Sequence, residues 1–519
     1  MKSTKNMSIL NDVLGPIMRG PSSSHTAGSY HLGTLARSLL GDVPKRAEFA
    51  FDAGGSYSKV YREQRSDLAF AAGLLGWAIT DGRFRRSLEV ARAEGVDVAF
   101  RVDTLPGAVH PNEVRISLTG ASGRSLTLLG RSVGGGVIEM HRLEGWPILF
   151  NGSAHEVAFE VDAGAAAATA EALASDGAAL AEPEIRTRDG LALVTARRAS
   201  ALSQALSDRL ARLPGARRSW QAPPIMLVKR GSAPFTSSAE MLELAKSRGL
   251  SAGALGVVYE EGVLGAPEEL VLEAMGVRLA AMLDSVALGL GQDAPQMQLL
   301  QPTAGRVLAA ESERKAAFGG MHTRAAARSM AAMNVNCGMG VVCAAPTAGS
   351  AGVIPGVVAT LLGELGVDRK TGIRSLFAAG LVGALIGERA TFAAEVAGCQ
   401  VEIGAAGAMA AAGVVDAAGG SAAQAADAAA VCFQNTMGLV CDLVQGVVEI
   451  PCHTRNAVAA SSAFVVADLV MGGYKNPIPL DETIDAVYAV GRSLPSSLRV
   501  TSLGGIAITP SALGMKKRG

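Results

Sequence analysis

The sequence predicts a multidomain protein: an N-terminal α+β domain, a small ferredoxin-like α+β middle module and a largely all-α C-terminal domain. Three observations predict it. The chain has 519 residues, too many for one hydrophobic core. Its first part mixes short strand-like and helix-like segments, whereas the remainder carries apolar runs of helical length. Between them, Pro214, Gly215, Pro223 and Pro224 punctuate a boundary. The expected divisions are 1–150, 151–225 and 226–519.

In the first unit, Ser24–Leu40 reads as a helix with Leu32, Leu35, Ala36 and Leu39 on one side, and Asp67–Ile79 as a second, apolar helix. Glu48–Phe51, Val98–Val102, Glu113–Leu118 and Ser125–Leu129 have strand character, separated by turn residues. In the middle unit, a strand at Glu156–Val161 precedes a helix at Ala165–Ala174. Strands at Glu184–Thr187 and Leu191–Thr195 and a helix at Ala199–Leu213 follow. That β-α-β-β-α order fits a ferredoxin-like module. The third unit offers helices at Ser238–Lys246, Pro267–Leu288, Thr323–Met333, Gly352–Leu365, Ser375–Ile386, Ala405–Ala417, Ala422–Val431 and Arg455–Met471. Their Ala and Gly residues let backbones approach closely.

Lys plus Arg equals Asp plus Glu at 47 each, so no global field favours nucleic acid or an anionic membrane. Six cysteines in so long a chain do not form a secreted disulfide scaffold and point to a reducing compartment. The start, MKSTKNMSILNDVLG, lacks the apolar stretch and cleavage site of a signal peptide and reads as cytoplasmic. Val341–Leu365 is interrupted by Pro346, Gly349, Gly352, Pro355 and Gly356, and Leu376–Ile386 is short for a bilayer. Both read as buried core helices.

The chemistry concentrates in Cys399, Cys441 and Cys452, separated by 41 and 10 intervening residues. Soft thiolates with one position left open are what an iron-sulfur cluster needs for Lewis-acid chemistry. By composition alone the same cysteines read as small buried hydrophobes in Ala-rich helices. Ser22, Ser23, Ser24, His25 and Thr26 set hydroxyls and an imidazole before a helix, a pocket for a carboxylate or an elaborate N-cap. Thr347, Gly349 and Ser350 repeat that arrangement before the helix near Gly352, or make a helix-to-helix turn.

These segments resemble the iron-sulfur L-serine dehydratases (L-serine ammonia-lyases), in a single-chain form with fused beta-like and alpha-like regions. The resemblance is carried by Cys399, Cys441 and Cys452 and by Gly20-Pro21-Ser22-Ser23-Ser24-His25-Thr26-Ala27-Gly28. Ala344-Ala345-Pro346-Thr347-Ala348-Gly349-Ser350-Ala351-Gly352 and Ser502-Leu503-Gly504-Gly505-Ile506-Ala507 extend it. It implies a [4Fe-4S] cluster on the three cysteines, elimination of water from a small hydroxy amino acid, and a homodimer. Serine would give pyruvate and ammonia. His25 and His110 are the implied proton handlers, imidazole being the side chain most easily tuned near neutral pH. Ser22, Ser24, Asn112, Thr347, Ser350 and Arg455 are implied substrate contacts, and Glu402 or His453 would tune the cluster. The Gly134-Gly135-Gly136 run fits a close backbone approach at the same site.

Two departures from the family pattern bear on specificity. Where the family has Gly-His-Gly-Thr-Asp, this chain has Gln64-Arg65-Ser66-Asp67 in the closing positions. Glutamine hydrogen-bonds but does not cycle a proton, and Arg65 adds a carboxylate-matching fork. Either another base serves or the substrate is a different, more anionic 3-hydroxy acid. The ending Met515-Lys516-Lys517-Arg518-Gly519 has none of the terminal cysteine that caps the open iron in some relatives. Cys337, Cys343 and Cys432 read as core or supporting residues, with Cys343 open as a ligand. Pyridoxal phosphate is a rival cofactor without a convincing lysine and phosphate loop, and a non-catalytic amino-acid sensor is the rival from another class.

Overall fold

The computed structural model describes residues 5–518. It has an N-terminal mixed α+β region and a largely helical C-terminal region. In the former, a six-stranded sheet runs in the order Asp97–Asp103, Pro44–Asp52, Glu113–Gly120, Ser125–Gly134, Val137–Leu143, Trp146–Phe150. Its first pair is parallel and the rest antiparallel. Val114, Ile116 and Leu118 alternate onto the covered face, as period-2 side chains do. Over that face lies helix Gly28–Leu40, whose Leu32, Leu35, Ala36 and Leu39 are buried. Phe49, Phe51, Tyr57, Phe70 and Phe100 fill the space between, with Phe49 and Phe70 stacked at 4.2 Å. Glu139, His141 and Arg142 hide the alternation of Ile138 with Met140 in the strand at 137–143, and Pro147 argues against a strand at 146–150, so both escape a sequence reading.

A second sheet has four antiparallel strands in the order Ala216–Ala222, His155–Asp162, Leu191–Arg198, Glu184–Arg188. Helices Ala166–Ala174 and Gln204–Ala211 connect them. The latter begins later than expected because Ser203 caps it, its side chain accepting from Leu206 N. The strand at 216–222 is absent from the sequence reading because only Trp220 and Ala222 of ARRSWQA are buried.

Beyond residue 237 the chain is mostly helix, with capping boxes at Ser237/Glu240 and Ser421/Gln424. Helices Ala252–Leu264, Ala304–Ser312 and Leu480–Ser493 join those the sequence predicts. Arg369–Arg389 has the length and apolar composition to cross a membrane, and 78% of its most apolar 18-residue window is buried within the protein. Its close neighbours make it a core helix: a Cβ added at Gly256 would lie 2.5 Å from the Phe377 carbonyl oxygen.

The first residues are built into this helical core. Buried Glu260 accepts from Ser8 Oγ, Ile9 N and Leu10 N at 2.5, 2.6 and 3.1 Å. Ile9, Leu10, Val13 and Leu14 share one core with helix 369–389. Ile17–Arg19 then pairs antiparallel with Val341–Cys343. Farther along, the Gly134–Gly136 turn presses on the helical region. All three glycines have positive φ, and a Cβ at Gly134 would lie 2.7 Å from Ala393 N. Together these contacts deliver Ser22–His25 to the loops that carry the cysteines.

Gly134→Ala is expected to cost about 1–3 kcal/mol in denaturant melts, since strain and a backbone collision combine. Gly177→Ala, also at positive φ but with nothing within 4 Å, should cost about 1 kcal/mol. A second expectation concerns Glu156, which burial pushes up to about 7 from 4.5 against the opposing pull of Arg197. The unfolded chain releases this proton first, so the folded state loses stability as pH rises between those values. Glu156→Gln should flatten that decline in melts across pH 4.5–7.

Candidate metal centre

Three separate elements supply the sulfurs. Cys399 begins the short turn Cys399–Val401, and Cys452 begins helix Cys452–Met471. Cys441 lies in a loop pinned to the C-terminal segment, its N–H donating to Leu498 O at 2.9 Å and its carbonyl accepting from Val500 N at 3.0 Å. All three are buried and unpaired by disulfide. Cys441 and Cys452 both lie near enough to Cys399 to act on its thiol electrostatically. The ligand atoms of Cys399, Cys441 and Glu402 lie within 4.8 Å of one another. Cys399 is 3.8 Å from Glu402 Oε2.

The electrostatics favour a thiolate at Cys399. The neighbouring thiols of Cys441 and Cys452 and the charge of Arg455 hold it well below the ordinary thiol range, against burial. Those contacts, with burial, push Cys441 and Cys452 well up. Arg455 is anchored by its own bonds, donating to Val440 O at 2.9 Å and pairing with buried Asp442 at 3.2 Å. Asp442 in turn accepts from Ile506 N at 2.9 Å, which uses the Ser502–Ala507 motif as a strap. Buried Asn456 joins two loops: it donates to Gly349 O and Cys452 O, both at 2.8 Å, and accepts from Gly352 N. This is a buried cluster able to coordinate a metal, and three converging sulfurs suit a soft, iron-sulfur type of centre.

The other cysteines stand apart from it. Cys337 donates to Val448 O at 2.8 Å. Cys343 belongs to the strand paired with Ile17–Arg19, and Cys432 lies in helix Ala422–Gln434. Burial raises both of these to about 12.

Cys441 and Cys452 open on a small cavity whose remaining polar wall is Ser22, Ser24, Gln64, Gly349, Glu395 and Glu402. Ser22 caps the turn at Ser23–Ala27, its hydroxyl accepting from His25 N. Ser24 Oγ donates to Glu395 Oε1 at 2.5 Å and lies 3.0 Å from His25 Nδ1. His25, wholly buried, sits behind this pair, with Glu395 Oε1 at 3.3 Å and Ser56 Oγ 3.2 Å from Nε2. Burial alone would raise the Glu395 carboxyl, but His25 and Ser24 outweigh it and bring it to about 2. Gln64 is buried, and its Nε2 has no partner among the described residues. Val500, at φ +62, also lines the cavity. Such a conformation is strained for a β-branched residue.

The structure brings together some of the residues the sequence singles out and leaves others at a distance. Thr347 and Ser350 cap the loop, their hydroxyls 3.0 Å apart, and Thr347 partly offsets the upward push of burial on the Glu402 carboxyl. His110 is outside the cavity lining, its pKa lowered by burial while the charge of Glu395 opposes this. Its Nδ1 accepts from Asn112 N at 3.1 Å, and buried Asn112 lies beside Ser132 with its Oδ1 unpartnered among the described residues. Arg65, at φ +61, is half-buried with its charge acting on Asp67, and does not line the cavity. His453 hydrogen-bonds Asn334 at 2.7 Å and is lowered to about 4 by burial. Glu395, Ser56, Asp442 and Asn456 are the residues that sequence reasoning missed. Glu395 had a signal, lying four residues before Cys399 in the same motif.

The family described as "Serine dehydratase alpha chain" matches residues 192–507. The chain is 37% identical over 284 residues to the probable L-serine dehydratase alpha chain of Bacillus subtilis, covering 55% of this chain and 95% of that one. It is 34% identical over 277 residues to the L-serine dehydratase alpha chain of Peptoniphilus asaccharolyticus, covering 53% and 94%. The probable beta chain of the Bacillus subtilis protein matches as well, 36% identical over 208 residues, covering 39% and 92%.

Anaerobic titration with Co²⁺, read by thiolate charge-transfer absorption, tests the centre. Cys399→Ser, Cys441→Ser and Cys452→Ser should each weaken binding by more than the roughly 10–100-fold that outer-shell changes cost. Cys432→Ser should leave it unchanged.

Proposed function

The chain belongs to the iron-sulfur-dependent serine dehydratase family, with counterparts of its alpha and beta chains in one polypeptide, and on that premise we propose that it converts L-serine to pyruvate and ammonia. The observation that carries this reading is the meeting of Cys441 and Cys452 with Ser22, Ser24, Gln64 and Glu395 on one cavity. A [4Fe-4S] cluster held by Cys399, Cys441 and Cys452 would supply a Lewis acid for the substrate's carboxylate and β-hydroxyl. Three sulfurs and a polar wall fit such a group.

The chain's own residues then bind and orient. Ser22 and Ser24, whose side chains line the cavity at the start of a turn, hold the carboxylate. Gln64 donates from Nε2 to a substrate oxygen. His25 serves as the base through Nε2, 3.2 Å from Ser56 Oγ, because its Nδ1 faces Glu395 Oε1 at 3.3 Å. Arg455 keeps thiolate charge balanced, with Asp442 fixing its fork. His110 and Asn112 stand behind this group as supports for the Ser56 and Ser132 loops, since Pro111 O accepts from Ser56 N at 2.7 Å. Thr347 and Ser350 shape the loop that presents Gly349. Loss of hydroxide gives an enamine, which tautomerises to the imine and hydrolyses to the 2-oxo acid.

Gln64 also favours a second reading, a related dehydratase of another 3-hydroxy acid. Arg65 does not line the cavity, so it offers no support there for an additional anionic group.

The same premise gives roles to the rest of the chain. We read 1–150 as beta-like, 151–225 as a ferredoxin-like regulatory module and 226–519 as the catalytic region. The strand order of the four-stranded sheet supports the ferredoxin-like reading. Arg197, Lys229, Arg230, Glu182 and Glu184 line a cleft beside it, whose mixed charges suit serine or another amino acid as effector. A cytoplasmic homodimer acting on a small hydroxy amino acid, without nucleic-acid or membrane partners, completes the proposal, and six free thiols support the reducing setting.

Anaerobic purification with iron and sulfide quantification, followed by ammonia assays on serine, threonine and 3-hydroxyaspartate, tests it. Ammonia and pyruvate from serine are expected. Turnover of 3-hydroxyaspartate alone would establish the second reading, and a full cluster without product from any of the three would make the protein a sensor.

A further inference from the structure

We propose that Glu395 is the receptor for the substrate's α-ammonium group, a role that rests on the hydroxy amino acid reading above. Glu395 is 5% exposed. Its Oε1 is occupied by Ser24 Oγ at 2.5 Å and His25 Nδ1 at 3.3 Å. Its Oε2 has no hydrogen-bond partner among the described residues. A buried carboxylate oxygen in that condition is costly, and such atoms in folded proteins have partners.

The missing partner is a cation. Among the described residues no lysine or arginine pairs with Glu395, and its ion-pair partner is the His25 imidazole. Other buried carboxylates here have both oxygens supplied, Glu160 by Arg218 at 2.7 Å and Glu260 by Ser8 Oγ, Ile9 N and Leu10 N, whereas Glu395 Oε2 has neither kind of donor among the described residues. The negative charge is nevertheless retained, because the Ser24 and His25 bonds hold the carboxyl at about 2 against burial. Tyr57, His110 and Glu402 each respond to that charge. Glu395 therefore supplies a fixed anion on the wall that also holds Cys441 and Cys452.

Gln64 completes the pattern from the opposite polarity. Its buried Nε2 is a donor without a partner on the same cavity. An unpaired acceptor with full negative charge and an unpaired donor together match a zwitterion: ammonium on Glu395, an oxygen on Gln64. Three-carbon acids lacking the amine leave Oε2 buried and unpaired, and the site rejects them. Glu395 thereby selects amino acids over plain hydroxy acids.

The test compares L-alanine with propionate, which differ in the ammonium group and carry no hydroxyl to eliminate. Binding of each is measured by calorimetry on anaerobic holoenzyme, with cluster content checked by visible absorption. Wild-type protein should favour L-alanine by at least about 10-fold, the scale of a buried charge-assisted hydrogen bond. In Glu395→Gln with its cluster intact, the two should bind within about threefold of each other, through weaker L-alanine binding and unchanged propionate binding. Equal loss of both ligands, or a preference that survives in Glu395→Gln, would show that Glu395 only positions His25 and would overturn the proposal. If Glu395→Gln does not fold, the wild-type comparison decides: equal affinities for L-alanine and propionate overturn it. Failure of the dehydratase reading is separate, appearing as absent ammonia release by wild-type protein, and the binding comparison still judges Glu395.

Discussion

The hydrogen bond from Ser24 to Glu395 joins residues 371 positions apart, and the organisation of the site depends on it. It draws the turn at Ser23–Ala27 against the loop that leads to Cys399. Both groups are buried, so the bond forms in a low-dielectric setting where it is stronger and where leaving either partner alone is costly. Neither half of the chain makes a cavity by itself. The serines come from the α+β region and the sulfurs from the helical region, and the wall exists where the two meet.

The seam behind that contact explains its precision. Ile9–Leu14 belong to the helical core, Ile17–Arg19 share a strand pairing with Val341–Cys343, and Gly134 closes on Ala393 two residues before Glu395. Each is a different kind of fastening: apolar burial, a β-ladder, and backbone contact possible without a Cβ. Together they hold His25, Ser24 and Glu395 within hydrogen-bonding reach. On the sulfur side, Asn456 and Asp442 perform the equivalent task, tying Gly349 to Cys452 and the C-terminal strap to the Cys441 loop. Rigid support of this sort is what allows groups on loops to act as a preorganised site.

The arrangement also separates charge by position. Arg455 and Asp442 lie beside the thiols, where thiolate charge needs a counter-ion. Glu395 carries its negative charge on the facing wall, paired with no guanidinium among the described residues. Arg65 and His110, attractive as chemistry in the sequence, lie outside the lining. Arg65 adopts a left-handed conformation at the start of helix Ser66–Leu75, and its backbone position sends the strand-to-helix connection past the cavity, leaving Gln64 to face it.

Much of this was legible in the residues themselves. Helices such as Gly28–Leu40 announce themselves because a 3.6-residue apolar period is local, and Cys399, Cys441 and Cys452 stood out as soft ligands in a chain with few of them. Strands 137–143 and 216–222 were not legible because charged residues dilute their apolar signal, and Pro147 masks the strand at 146–150. Asn456 and Ser56 could not be assigned from their neighbours in sequence, because an amide or hydroxyl has no function until its partner is known. Residue type and local period thus determined which elements form and which atoms could bind metal. Tertiary structure decided which of those atoms share one enclosure, because hydrogen bonding and burial act over ångströms between segments hundreds of residues apart.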